Sequence, residues 1–138
     1  MYPTILVTLD TTATDRAIIE HIKLMAKLTH SRVVLLHVAT GVPALVHGPE
    51  ADDEEVRTDQ SYLNRICAEF EALDIRCATV LAYGEPVKAI VHWVQQNRPD
   101  LVAMSTHGHK FMADLVLGTT AIKVQHSISV PVLLLRAK

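Results

Sequence analysis

The chain has 138 residues, of which 49% are apolar and 20% charged. That composition suits one folded domain with a full hydrophobic core and excludes a disordered chain. The formal charge of −2 offers no broad basic field for nucleic acid, and no apolar run approaches the roughly 18 residues of a membrane span.

Met1-Tyr2-Pro3 leads directly into an apolar run, without the basic region and small-residue cleavage site of a signal peptide. Cys67 falls in a helical pattern and Cys77 in a strand pattern, with no Cys-x-x-Cys spacing. Two buried thiols in a reducing compartment fit this better than a disulfide, so the expectation is a cytoplasmic protein.

Thr4 to Leu9 is β-rich and largely apolar, as in a strand buried on both faces of a parallel sheet, and it ends at Asp10-Thr11-Thr12. Thr12 or Thr14 caps the next helix, with Asp15 in its first turn and Ile18, Ile22, Met25 and Leu28 on its core face. Arg32 to Val38 is a second buried strand. Thr40 to Asp53, which holds Gly41, Pro43, Gly48 and Pro49, reads as a long loop. Glu50, Asp52, Asp53, Glu54 and Glu55 suit the start of a helix whose buried stripe is Val56, Leu63, Ile66, Phe70 and Leu73. Ile75 to Leu81 makes a third strand, nearer an edge because Arg76 and Thr79 interrupt it. After the Gly84-Glu85-Pro86 turn comes a helix with Val87, Ile90, Val91 and Val94 inward and Trp93 partly buried beside them. Pro99-Asp100 leads into the strand Leu101 to Met104, and Val130 to Leu135 is the last strand. Pro131 at its start points to an edge position.

Strands alternating with helices throughout predict a single α/β domain over residues 1–138, an open, mostly parallel five-stranded sheet with helices on both faces. Ligands of such sheets bind outside the carboxyl ends of the strands, where the strand order reverses. If the first and fourth strands are neighbours there, Asp10, Val38 and the Gly108–Gly118 stretch meet in one cleft of nucleotide size.

Between Val102 and Thr120 the apolar strand runs into a loop carrying Ser105, Thr106, His107 and Gly108. Nine residues then separate Gly108 from Gly118, which is followed by Thr119, Thr120 and a helical pattern over Ala121 to His126. Glycine lets backbone approach a phosphate, and the free N–H groups of a helix start favour an anion. The plainer alternative is that Gly108 ends the strand and Thr119 caps the helix.

These residues resemble the universal stress protein family along essentially the whole chain. The resemblance is carried by Ile5-Leu6-Val7-Thr8-Leu9-Asp10, Leu36-His37-Val38, Gly84-Glu85-Pro86, Asp100-Leu101-Val102-Ala103-Met104 and the closing Val130 to Arg136. The family's nucleotide-binding branch carries Gly-x-x-Gly, nine residues, then Gly-Ser or Gly-Thr. Here Ser105 takes the place of the first glycine, and Gly108 and Gly118-Thr119 fill the rest. Phe111 and Met112 also depart from a span often richer in small and basic residues, leaving Lys110 as the nearby cation.

The resemblance implies a Rossmann-like strand order 3-2-1-4-5 and an adenine nucleotide site for ATP, with ADP or AMP as alternatives and Mg²⁺ accompanying the nucleotide. By position, Asp10 would take the ribose, Thr8, Leu9, Val38 and Met104 would frame the base beside Ser105, and Gly108, Gly118, Thr119 and Thr120 would hold phosphates. It also implies a homodimer through the last strand, with Val130, Val132 and Leu134 or their alternates at the interface, which would cover an apolar edge otherwise prone to aggregation.

His107 and His109 flank Gly108, and with Asp10 or Asp114 they would make a three-ligand zinc site; extra donors beside phosphates are the plainer reading. His37 reads as a satisfied core residue, and His21, His30, His92 and His126 as surface residues. Three functions follow: a nucleotide-binding regulatory protein, a slow Mg²⁺-dependent ATPase or phosphotransferase using Asp10, and a stress factor acting through protein contacts without nucleotide. The second lacks a Walker-type Gly-Lys-Ser/Thr and an arginine reserved for the site, so no residue is assigned a catalytic role.

Overall fold

The computed structural model describes residues 1–40, 54–106 and 114–137, with the backbone alone for 114–119. In chain order the elements are β1 (Thr4–Thr8), α1 (Asp15–Thr29), β2 (Arg32–Ala39), α2 (Glu54–Glu71), β3 (Cys77–Tyr83), α3 (Pro86–Asn97), β4 (Leu101–Thr106), α4 (Asp114–Ser127) and β5 (Val132–Arg136). The sheet order is β3-β2-β1-β4-β5, and all four neighbouring pairs are parallel rather than merely most of them.

β1 lies at the centre, and Ile5, Leu6 and Val7 are fully buried because successive side chains enter opposite cores. Ile5, Val7 and Leu9 pack with Ile18, Ile19 and Ile22 of α1 and Leu63, Ile66 and Phe70 of α2. Leu6 packs on the other face with Val34 and Val102, under Ile90 and Val94 of α3 and Ala121 and Val124 of α4. At about 1.5–3 kcal/mol per fully buried aliphatic side chain, these two layers carry the fold and hold β1 rigid between them.

Several boundaries differ from the sequence expectation. Leu28 and Leu73 are exposed rather than core. Leu28 stands about 120° around the helix from Ile22 at 100° per residue, on the side of the exposed Leu24, whereas Ile19 and Ala26 continue the buried face. Leu73 lies beyond the end of α2, in a turn where its N–H bonds to the Phe70 carbonyl. β3 begins two residues later than expected and forms one edge; Ile75 is buried but precedes the ladder. Pro131 likewise precedes β5, and its carbonyl accepts from Val102 N–H.

Two differences bear on the site. β4 does not stop at Met104: Ser105 and Thr106 stay in the strand, in register with Leu135 and Arg136. α4 begins at Asp114, so Gly118, Thr119 and Thr120 lie inside the helix rather than ahead of it. The expected long loop lies outside the described residues apart from Thr40; Glu54 and Glu55 do open α2.

Candidate functional site

The sheet order reverses between β1 and β4, and the carboxyl ends of both strands open on one cavity of about 310 Å³. That volume falls at the lower end of small-molecule sites. Thr8, Leu9, Asp10 and Thr12 come from the end of β1, Leu36, His37, Val38 and Thr40 from the end of β2, and Met104 and Ser105 from β4. Pro86 and Ile90 of α3 and Thr120 of α4 close the other side. Pro86 is placed by the start of α3, where the Glu85 carboxylate accepts from the N–H groups of Val87 and Lys88 at 3.1 and 2.9 Å.

One wall is apolar, made by Leu36, Val38, Ile90 and Met104, while Asp10 and the hydroxyls of Thr12, Thr40, Ser105 and Thr120 supply polar groups. A flat apolar ring suits the first and a hydroxylated sugar the second. Ser105 Oγ is buried with no hydrogen-bond partner among the described residues. An unpaired buried hydroxyl is costly, so its position in the lining fits a polar ligand group. Neither lysine nor arginine is among the described lining residues; Lys110, the cation expected nearby, lies outside the described residues.

Asp10 sits in a tightly held turn. Leu9 N–H donates to the Leu36 carbonyl at 2.8 Å, and Thr11 has φ +61°, a left-handed conformation rare for a β-branched residue. The Asp15 carboxylate turns back from the head of α1 and accepts from Asp10 N–H at 2.9 Å and Thr11 N–H at 2.8 Å. Tyr62 of α2 donates its O–H to the same carboxylate at 2.8 Å. Burial pushes the Asp15 carboxyl up from its ordinary range, against these hydrogen bonds, and the Asp10 charge adds to the rise. Burial and the Asp15 carboxylate raise Tyr62, which keeps its proton to donate. Thr14 occupies the cap position of α1 without a side-chain cap bond, so Asp15 is a loop anchor beyond its favourable place near the helix dipole.

His37 bonds through one ring nitrogen and faces a carboxylate with the other. Its Nδ1 lies 2.7 Å from the Leu9 carbonyl, which can only accept, so Nδ1–H donates to it; Nε2 lies 3.4 Å from Asp59 of α2. It also lines the cavity, a role its strand position did not reveal.

Of the expected site residues, Thr8, Leu9, Asp10, Val38, Met104, Ser105 and Thr120 come together in the cavity wall. Gly108 and His109 lie outside the described residues, as do His107 and the backbone beside it, so the zinc arrangement falls there too. Gly118 and Thr119 contribute helical backbone of α4. Thr12, Leu36, His37, Thr40, Pro86 and Ile90 were not expected. Most were read as cap, turn or core, although the rule that ligands lie beyond strand ends already pointed to the close of β2.

Comparison with known proteins agrees with this architecture. Residues 1–136 match the Universal stress protein family. Universal stress protein MJ0577 of Methanocaldococcus jannaschii is 24% identical over 157 aligned positions, covering 100% of this chain and 97% of that protein. Its solved structure superposes with a TM-score of 0.83, covering 100% of this chain and 98% of that one. A universal stress protein solved in complex with cAMP has a TM-score of 0.72 at 16% identity, with 97% and 96% of the two chains covered. The universal stress protein from Archaeoglobus fulgidus in complex with dAMP gives 0.70 at 15% identity, with 97% of each chain covered.

Proposed function

The chain belongs to the universal stress protein family, and we propose that it binds an adenine nucleotide in the cavity at the carboxyl ends of β1 and β4. The observation that carries this reading is the cavity itself: an apolar wall, a carboxylate at Asp10 and the buried Ser105 hydroxyl, unpaired among the described residues, converge at the point where the strand order reverses. The base lies against Val38, Met104 and Leu9 with Thr8 beneath, and Asp10 takes the ribose hydroxyls. The phosphates run toward the first turns of α4, where Gly118, Thr119 and the Thr120 hydroxyl lie; Gly108 and His109, expected beside them, lie outside the described residues. The cAMP and dAMP complexes of related folds support the adenine class. ATP, with Mg²⁺ accompanying its phosphates, is the fullest occupant; ADP and AMP fill the same base and ribose positions.

The role that follows is regulatory: a cytoplasmic stress-response protein that changes its protein contacts when loaded. Hydrolysis is slow or absent in this reading, since the chain carries no Walker-type Gly-Lys-Ser/Thr. β5 is an edge strand whose Leu134 is 37% exposed, and we assign it, with Val130 and Val132, to a symmetric homodimer contact. The test is mass spectrometry of small molecules released from the protein as purified, followed by calorimetric titration of the wild type and Asp10→Ala with ATP, ADP and AMP. Recovery or micromolar binding of one of these, weakened at least about tenfold in the variant, supports the reading. Binding by none of the three refutes it and leaves a stress factor that works through protein contacts.

A further inference from the structure

The two peptide groups that flank Asp10 are each held from both ends. In the Leu9–Asp10 peptide, the carbonyl oxygen accepts from His37 Nδ1 at 2.7 Å and the N–H donates to Asp15 Oδ1 at 2.9 Å. In the Asp10–Thr11 peptide, the N–H donates to Asp15 Oδ2 at 2.8 Å and the carbonyl accepts from Thr11 Oγ1 at 2.6 Å. Fixing both planes fixes the direction in which Asp10 leaves the backbone, and it holds Thr11 at its positive φ.

The two side chains that do this are themselves set by α2. Tyr62 O–H bonds to Asp15 Oδ2, and Asp59 lies against His37 Nε2. Asp59 and Tyr62 are three residues apart, so one helical turn supplies both supports. Neither residue lines the cavity. Asp59 is nonetheless buried, in phase with Leu63, Ile66 and Phe70 on the core face of α2. A carboxylate there has no packing value, and among the described residues it faces the histidine that holds the Leu9 carbonyl.

We propose that Asp59 and Tyr62 are positioning residues for nucleotide binding, clamping the Leu9–Thr11 turn through His37 and Asp15 so that Asp10 is presented in its binding direction. The inference deepens the nucleotide reading above and rests on it. A helix that never touches the ligand thereby sets affinity for it, since a site held in its bound shape avoids the cost of ordering on binding.

Tyr62→Phe and Asp59→Leu test this, because each keeps much of the side-chain shape and removes the polar contact to Asp15 or to His37. Three measurements are made on the full chain: thermal unfolding, amide hydrogen exchange by NMR without nucleotide, and calorimetric titration with ATP and AMP. Both variants should unfold within a few degrees of wild type. The amides of Asp10 and Thr11 should exchange faster while those of β1 and β2 stay protected, and affinity should weaken roughly 3- to 30-fold. A role in stability alone would lower the melting temperature and leave affinity and the local exchange pattern untouched, overturning the proposal. Wild-type binding with undiminished affinity in both variants also overturns it, while the nucleotide reading survives. A wild type that binds neither nucleotide removes the site reading and this inference together.

Discussion

Ser105→Ala should move stability and ligand affinity in opposite directions. Ser105 Oγ is buried without a hydrogen-bond partner among the described residues, on a strand position held in register with Leu135. A buried hydroxyl left unpaired costs about 1–3 kcal/mol relative to one in water, whereas alanine carries no polar group and removes one atom. Taking the low end, the ligand-free variant should gain about 1 kcal/mol, which in a domain of this size raises the melting temperature by about 3–5 °C. In the nucleotide complex the same hydroxyl has a partner, so its loss should weaken binding by about 0.5–1.5 kcal/mol, or roughly 2- to 10-fold. The assay is thermal unfolding with and without saturating nucleotide. The variant should melt above wild type when empty, and the stabilisation that nucleotide adds should shrink. A ligand-free Ser105→Ala protein that melts below wild type would refute the reasoning, because the hydroxyl would then be paired in the native protein.

Glu69 is the hub of an α1–α2 charge cluster, accepting from both guanidinium nitrogens of Arg16 at 2.7 and 3.2 Å and from Lys23 at 2.7 Å. The Arg16 hydrogen bonds, then that of Lys23, lower its carboxyl from 4.5 to about 2. The folded state therefore binds this proton less readily than the unfolded chain, and the stabilisation is complete above about pH 4.5 and lost as pH falls toward 2. Glu69→Gln should cost about 1 kcal/mol at neutral pH and flatten acid unfolding in that window, since partly exposed pairs are screened; urea unfolding from pH 2 to 7 checks it. Leu134→Lys on the β5 edge should convert a dimer into a monomer by light scattering at micromolar concentration, with little loss of secondary structure; a wild type that is already monomeric removes the dimer assignment. Burial raises both Cys67 and Cys77, with the neighbouring Cys67 adding to the rise at Cys77, so neither is a thiolate at pH 7. Labelling of the buried Cys67 should keep pace with global unfolding, while Cys77, half-buried on the edge strand β3, should label sooner; labelling of Cys67 in the native protein within seconds would contradict its burial.

The order of elements was legible because the inner strands are apolar on both faces, whereas the strand order 3-2-1-4-5 came with the family resemblance. Ile5-Leu6-Val7 and Val33-Val34-Leu35-Leu36 have no polar break, which in this alternating chain means a strand covered from both sides. Boundaries were less legible. Ser105 and Thr106 are polar but extend β4, because pairing with β5 continues past the last core residue. Leu28 follows Met25 at a permitted helical interval, yet the burial centre of α1 passes through Ile22 and Ala26, which puts Leu28 outside. A four-residue apolar pattern does not fix the phase of a helix as well as its polar members do.

Those polar members also explain which part of the site stayed hidden. Asp10, Val38 and Ser105 were readable because strand ends at a reversal of order are where ligands go, and Met104 came with the family resemblance. Asp15 and Asp59 carry the supporting structure, and each stands at the head of a buried stripe: Asp15 ahead of Ile18, Ile19 and Ile22, Asp59 ahead of Leu63, Ile66 and Phe70. Acidic residues near a helix start suit the dipole, and that explanation is sufficient until the phase is examined. A surface carboxylate serving the dipole has no reason to lie on the core side of its helix. One that does must find donors inside the protein, because burial without partners is too costly to keep. For Asp15 the donors are the Asp10 and Thr11 amides and the Tyr62 hydroxyl; Asp59 meets His37. The in-phase carboxylate is therefore a sequence-level mark of an internal polar partner, and here both partners lead to the same turn.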